Sequence, residues 1–309
     1  MVNKKKAVGD SARTKLRRKK INSKVSSGTK KKVSHSSKKV SHKGAEKIFK
    51  KKAGKNIKSK VVRHKIIKKG NLERVPIGIK NLDKIAEGGF EKNSTNLIVG
   101  GSGNGKSIFA IQFLMEGVKR GENVLYIAFE EKKKEFYANM LGLGWDLDKY
   151  EKSGKFFFLS YTPEKIKTML EEGGGDVETI VLSKKIQRIA MDSITTFVML
   201  FDREVEMREG SLALFSLLKG WACTSLLVYE RDPLVDKKQS SRVLEFEADS
   251  LIFLYFTRMN KKRERFLEIY KMRGTNHSTD IFPYSIRKNV GIDVSSKPYR
   301  GKLDYFKST

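Results

Sequence analysis

The sequence predicts an α/β fold with a mainly parallel central sheet, antiparallel strands along one late edge, and a disordered basic tail in front. Three observations predict it. From residue 71 onward, nearly continuous apolar runs recur, as strands covered on both faces require. The early runs alternate with patches of helical period, whereas the last ones follow one another without a helix between them. A glycine-rich turn joins the first run directly to the first helical patch.

The tail stands apart by composition. The chain has 309 residues and a formal charge of +30. Residues 1–70 hold 27 of its 65 Lys and Arg but only two of its 35 acids, Asp10 and Glu46. The remaining 239 residues hold 38 basic and 33 acidic side chains, an ordinary globular balance. With one aromatic, Phe49, and no proline, residues 1–70 lack the apolar surface needed to offset chain entropy, so disorder is expected. No apolar stretch follows the first lysines as a secretory signal would need, and the lysine excess fits a mitochondrial transit peptide poorly. No run approaches the roughly 20 apolar residues of a membrane span. A single cysteine, Cys223, rules out an intramolecular disulfide and suits a reducing, cytoplasmic setting. Of four histidines only His277 lies outside the tail, which leaves no Cys/His zinc set in the folded part.

The predicted strands are TNLIVG (95–100), NVLYIAF (123–129), KFFFLSY (155–161), IQRIAMD (186–192), TSLLVYE (224–230), SLIFLYF (250–256) and RFLEIYKMR (265–273). After the first, Ile108, Ile111, Leu114, Met115 and Val118 recur at helical spacing until Gly121 stops the helix. Further helical patches begin near Lys133, Pro163 and Arg203. Alternation of this kind implies parallel pairing through right-handed crossovers, and the uninterrupted late strands imply hairpins at one edge. No internal repeat appears, so residues 71–295 are expected to form one core domain, followed by a short C-terminal tail, 296–309.

The turn after the first strand reads GGSGNGKS, and Gly100, Gly105, Lys106 and Ser107 fit G-x-x-x-x-G-K-[ST]. In such a loop glycines let backbone N–H groups turn inward around phosphates, and the helix N-terminus adds positive potential. The candidate nucleotide contacts are Gly100, Gly101, Ser102, Gly103, Asn104, Gly105, Lys106 and Ser107. Lys106 would reach the terminal phosphates and the Ser107 hydroxyl would ligate Mg²⁺. Asn104 stands where a tight loop is expected to turn left-handed, which Asn tolerates. The position of the motif at a strand-to-helix junction argues against coincidence. No N-K-x-D guanine signature appears, so adenine is expected.

A phosphate loop needs an acid for the metal at the end of another buried strand. Asp192 closes IQRIAMD, where an unpartnered charge would be expensive. Glu130 and Glu131 end the second strand on the edge of a parallel sheet that faces ligands, and are the candidates for orienting or deprotonating water. Late in the chain, KMRGTNH (271–277) gathers cations with no acid among them. If the strand continued through it, Lys271, Arg273, Thr275 and His277 would share one side.

Together these residues carry a resemblance. RVPIGIKNLDKIAEGGF, VGGSGNGKS, YIAFEE followed by LGLGWDLDKYEKSGKF, then IAMDS, EADSLIFL and KMRGTNH resemble a KaiC-type ATPase of the RecA superfamily, in its single-domain archaeal form, from about Arg74 to Val294. The resemblance implies a RecA-like fold and a ring, typically a hexamer, with ATP and Mg²⁺ held between neighbouring copies. It implies hydrolysis served by Glu130 and Glu131. It also implies that Lys271 and Arg273, with His277 close by, touch the γ-phosphate held by the adjacent copy, which would explain cations left unpaired within their own chain. Residues 173–188 and the helix at SLALFSLLKGW depart from the family pattern. The clock protein that names the family carries two such domains; one is seen here, and nothing in it licenses a clock or autokinase role.

For partners, a lysine-rich arm points to nucleic acid or the ribosome, with regulation of a protein not identifiable from sequence. The competing expectation is a RadA-like recombinase paralogue that uses ATP as a clamp, with RDPLVDKKQSSR (231–242) and its Lys237, Lys238 and Arg242 in the place of a DNA loop. That stretch equally suits a plain surface loop.

Overall fold

In the computed structural model, the residues described are 72–233, 242–259 and 261–301. The expected tail, 1–70, and most of the 231–242 stretch lie outside them.

A small antiparallel sheet opens the core, pairing β1 (Arg74–Val75) with β2 (Phe90–Glu91) around α1 (Lys80–Ile85). The main elements follow: β3 (Thr95–Gly100), α2 (Lys106–Lys119), β4 (Asn123–Ala128), α3 (Lys133–Gly142), α4 (Leu147–Lys152), β5 (Phe156–Ser160) and α5 (Pro163–Glu172). Next come α6 (Gly175–Ser183), β6 (Ile186–Asp192), α7 (Thr195–Val198), α8 (Glu204–Gly220), β7 (Thr224–Glu230) and α9 (Arg242–Glu247). The chain then runs through β8 (Ser250–Met259), β9 (Lys262–Met272), β10 (Phe282–Arg287) and β11 (Gly291–Val294) with no helix between them.

Among the described residues, nine strands form one sheet in the order β11-β10-β9-β8-β3-β7-β6-β4-β5. From β8 to β5 the pairing is parallel, and from β8 outward to β11 it is antiparallel. The expected fold class is therefore the one observed. Every residue of β3 is buried because helices cover both of its faces. Alternate side chains feed two cores: Ile98 packs with α1 to α4, while Leu97 and Val99 pack with α5 to α9.

Inside the first core lies Arg188 of β6, with no exposed surface. Its guanidinium forks onto the Glu122 carboxylate and donates to Pro76 O at 2.7 Å and Phe113 O at 3.0 Å. A buried charge survives only when its hydrogen bonds are satisfied in this way. The contact explains a glycine in the last turn of α2: a Cβ on Gly117 would stand 2.7 Å from the Arg188 side chain. The network ties the strand that ends in Asp192 to the helix that begins at Lys106.

Residues 173–188, which depart from the family pattern in sequence, hold α6, where Val177 and Val181 are buried, and the start of β6. One expectation changes: the last long strand does not run through KMRGTNH. It ends at Met272, and Gly274 turns with φ +64°. Lys271, Arg273, Thr275 and His277 therefore do not line one strand face.

Candidate nucleotide-binding site

The loop between β3 and α2 is built by three glycines. Gly103 and Gly105 take left-handed φ of 79° and 87°, where a side chain would be strained. Gly100 leaves room for its neighbours, since a Cβ there would lie 2.8 Å from Asn104 Nδ2 and 2.9 Å from Leu254 O. The left-handed turn expected at Asn104 is taken by those glycines instead. Asn104 is buried, its Nδ2 donates to Leu254 O at 2.5 Å, and its carbonyl accepts the Tyr284 hydroxyl. It is an anchor from the loop to β8 and β10. Lys106 is nearly buried and folds back so that Nζ donates to Gly101 O at 2.8 Å. Burial pulls its pKa down, opposed by Glu230 and Asp192.

Asp192 ends β6 beside this loop. Burial raises its pKa, while the Ser107 and Tyr126 hydroxyls and the Lys106 charge favour its ionised form. Tyr126 of β4 donates to Oδ2 at 2.8 Å. The Tyr126 ring is locked by stacking on Phe136 and Phe158, at centroid distances of 4.5 and 5.7 Å. Glu130 is exposed; Glu131 is half-buried, accepts from Asn139 Nδ2 at 3.3 Å, and has its pKa raised by burial. Glu230, at the end of β7, lies 4.0 Å from Lys106 Nζ, and its backbone N–H donates to Thr195 Oγ1. Sequence reading passed over Glu230 and Tyr126. The signal for Glu230 was present, since it closes an apolar strand as Asp192 does.

Ser107, Tyr126, Glu130, Glu131, Asp192 and Glu230 all line one cleft of about 350 Å³. The residues fit a magnesium nucleotide. Glycine N–H groups and Lys106 suit phosphate oxygens, and a carboxylate with a hydroxyl suits a hard cation. Among the described residues no group of three or more His, Cys, Asp and Glu forms a protein-only metal cage. Mg²⁺ does not require one where phosphates complete its shell.

KMRGTNH lies elsewhere. Arg273 N donates to Asp249 O, and Asp249 N to Thr95 O, so these cations sit level with the start of β3. The phosphate loop leaves its end, five residues on, or roughly 16 Å along the strand. The expectation of cations unpaired in their own chain does not hold. Lys271 Nζ donates to Glu245 O and Phe246 O at 3.1 and 2.9 Å. Arg273 donates to Phe246 O at 2.8 Å and pairs with Asp249 at 3.2 Å. The C-terminal carbonyls of α9 attract both, as helix C-termini attract cations. The turn that follows is held by Arg74, which donates to Thr275 Oγ1 at 2.7 Å and Gly274 O at 3.2 Å. Among the described residues, the neighbouring Ser278 carbonyl lies 3.0 Å from His277 Nδ1.

The profile of the KaiC ATPase family matches residues 75–299. The chain belongs to the KaiC ATPase family. It is 32% identical over 230 residues to the circadian clock protein KaiC3 of Synechocystis sp., covering 72% of this chain and 46% of that protein. It is also 32% identical over 228 residues to a UPF0273 protein of Thermotoga maritima, covering 70% of this chain and 93% of that one. A solved KaiC-like protein of Pyrococcus horikoshii matches with a TM-score of 0.65 and 31% identity, over 73% of this chain and all of that one. The chain thus spans less than half the length of the first curated relatives it matches. The RecA-like fold and the P-loop of an ATPase family are common ground. Among the described residues no helix is long and apolar enough to cross a membrane.

Proposed function

We propose that this KaiC-family chain binds and hydrolyses ATP with Mg²⁺ in a ring of identical copies, each site completed by its neighbour. The observation that carries the reading is the placement of the two cationic elements. The phosphate loop leaves one edge of the sheet, and Lys271 and Arg273 stand at the opposite edge. One chain cannot bring its own pair to its own loop. A heterologous contact, repeated around a closed ring, brings each pair to the next loop.

Within one copy, the loop N–H groups and Lys106 bind the phosphates, and Ser107 and Asp192 hold the metal. Bound Mg²⁺ supplies charge neutralisation on the phosphate oxygens. Glu131, whose burial favours its uncharged form, accepts the proton of the attacking water, with Glu130 beside it. Lys271 and Arg273 of the neighbour stabilise the charge that develops on the transferred group. The basic tail, 1–70, gives this cytoplasmic ATPase a contact to nucleic acid or the ribosome, through which it regulates a partner.

The test is magnesium-dependent ATP hydrolysis by the full chain. Lys106→Ala and the double variant Glu130→Gln/Glu131→Gln are each expected to lower it by about 100-fold or more. Full activity in both variants would remove the assignment.

A further inference from the structure

The β8–β9 pair outruns the sheet that anchors it. β8 is paired to β3 only from Ser250 to Leu254, and β9 to β10 only from Arg265 to Leu267. The two strands nevertheless stay paired to each other as far as Met259↔Lys262. Beyond Phe256 and Arg265 they form a two-stranded ribbon that leaves the sheet at the same edge as the phosphate loop. The root of the ribbon is fixed there, because Arg265 donates to Gly103 O at 3.2 Å and lies 4.2 Å over the Phe256 ring.

The outer part of the ribbon is cationic. Arg258, Lys261, Lys262 and Arg263 are all exposed, and among the described residues none has an ion-pair partner. Arg258 and Arg263 are directly opposite, so their side chains share one face. Like charges so placed weaken a strand pair. Keeping sheet edges from joining accounts for charge of either sign, as Glu264 on the same strand illustrates. It does not account for two arginines facing each other.

We propose that this ribbon is a docking surface for double-stranded DNA, with Arg258, Lys261, Lys262 and Arg263 on its phosphates. The major groove of B-form DNA admits a two-stranded ribbon, and guanidinium groups match phosphate oxygens in pairs. The surface is separate from the basic tail, and it does not depend on the nucleotide reading.

The test uses the full chain without nucleotide, a fluorescent 20-base-pair DNA duplex, and anisotropy across a salt series. Replacing the four cations together with alanine is expected to flatten the log–log salt slope by about 3 to 4, near 0.9 per lost phosphate contact. Arg258→Lys with Arg263→Lys should retain the slope. If the fourfold variant folds poorly, Lys261→Glu with Lys262→Glu, both exposed, should shift the slope in the same direction. An unchanged slope in folded variants would overturn the proposal and leave the duplex to the tail. So would an equal loss of polyglutamate binding with duplex binding intact, which would mark the ribbon as a protein contact.

Discussion

The parallel half of the sheet and its antiparallel edge handle charge in different ways. In the parallel half, charged groups are buried and satisfied close by: Arg188 on Glu122 and two carbonyls, Asp192 on Tyr126, Lys106 on Gly101 O. At the antiparallel edge, Lys271 and Arg273 rest on the open carbonyls of α9 and on the partly exposed Asp249. The first arrangement is fixed by packing and is complete within one chain. The second is shallow and can be exchanged for a better anion. On the proposed reading, half of this site is prebuilt, while the other half is held in reserve for another copy.

The largest effect should come from the edge. Arg273→Ala is expected to lower ATP turnover by about 10³-fold or more, as losing such a finger does elsewhere, while nucleotide affinity stays within a few-fold. A fall in affinity matching the fall in turnover, measured with a fluorescent ATP analogue, would place Arg273 in its own chain's binding instead. Next comes Glu131→Gln, expected to cost about 10² to 10⁴ in turnover. Burial raises the pKa of Glu131, so a base at this position takes up its proton at a higher pH than an ordinary glutamate. Turnover should therefore decline as pH falls, starting above the usual glutamate range, and the decline should vanish in Glu131→Gln. A pH profile identical in both would assign the base elsewhere.

Tyr126→Phe keeps the stacked ring but removes one hydrogen bond from the Asp192 carboxylate. A bond of that kind, to a charged group, contributes about 1.5–3 kcal/mol. The Mg²⁺ concentration for half-maximal hydrolysis should rise about tenfold or more, since 1.4 kcal/mol is tenfold in binding. An unchanged requirement would make Tyr126 a core residue only. The smallest effect belongs to Asp249→Asn, which keeps an acceptor for the Thr95 N–H, donated to Oδ2 at 2.9 Å, and removes only the charge of a partly exposed ion pair, one side half open to solvent. Thermal unfolding should shift by no more than about 1 kcal/mol. A larger loss would show that the resting contact at the edge is structural.

Much of this was legible in the sequence, and the reason differs by region. The seven long strands announce themselves by apolar runs, which are continuous where both faces are buried, as in β3, β4 and β7. The phosphate loop is local, so its glycines and Lys106 stand out together. Asp192 was found because a charge closing an apolar strand needs a reason, and the same argument would have found Glu230. What was not legible depends on distant residues. The pairing of Arg273 with Asp249 joins positions 24 apart, and the bond from Tyr126 to Asp192 spans 66. The short pieces β1, β2 and β11 hold two to four residues each, too few to show a period. The left-handed positions fell to Gly103 and Gly105, which take them without the cost of a Cβ, while the Asn104 side chain anchors the loop to β8.

Mixing two inactive variants tests the shared site most directly. Lys106→Ala chains keep a working cationic pair, and Arg273→Ala chains keep a working phosphate loop. If a site is formed by two copies, an equimolar mixture assembled at random restores about one quarter of wild-type turnover, the fraction of contacts where both halves are intact. A mixture that stays as inactive as its separate components, in rings verified to contain both chains, would contradict the account.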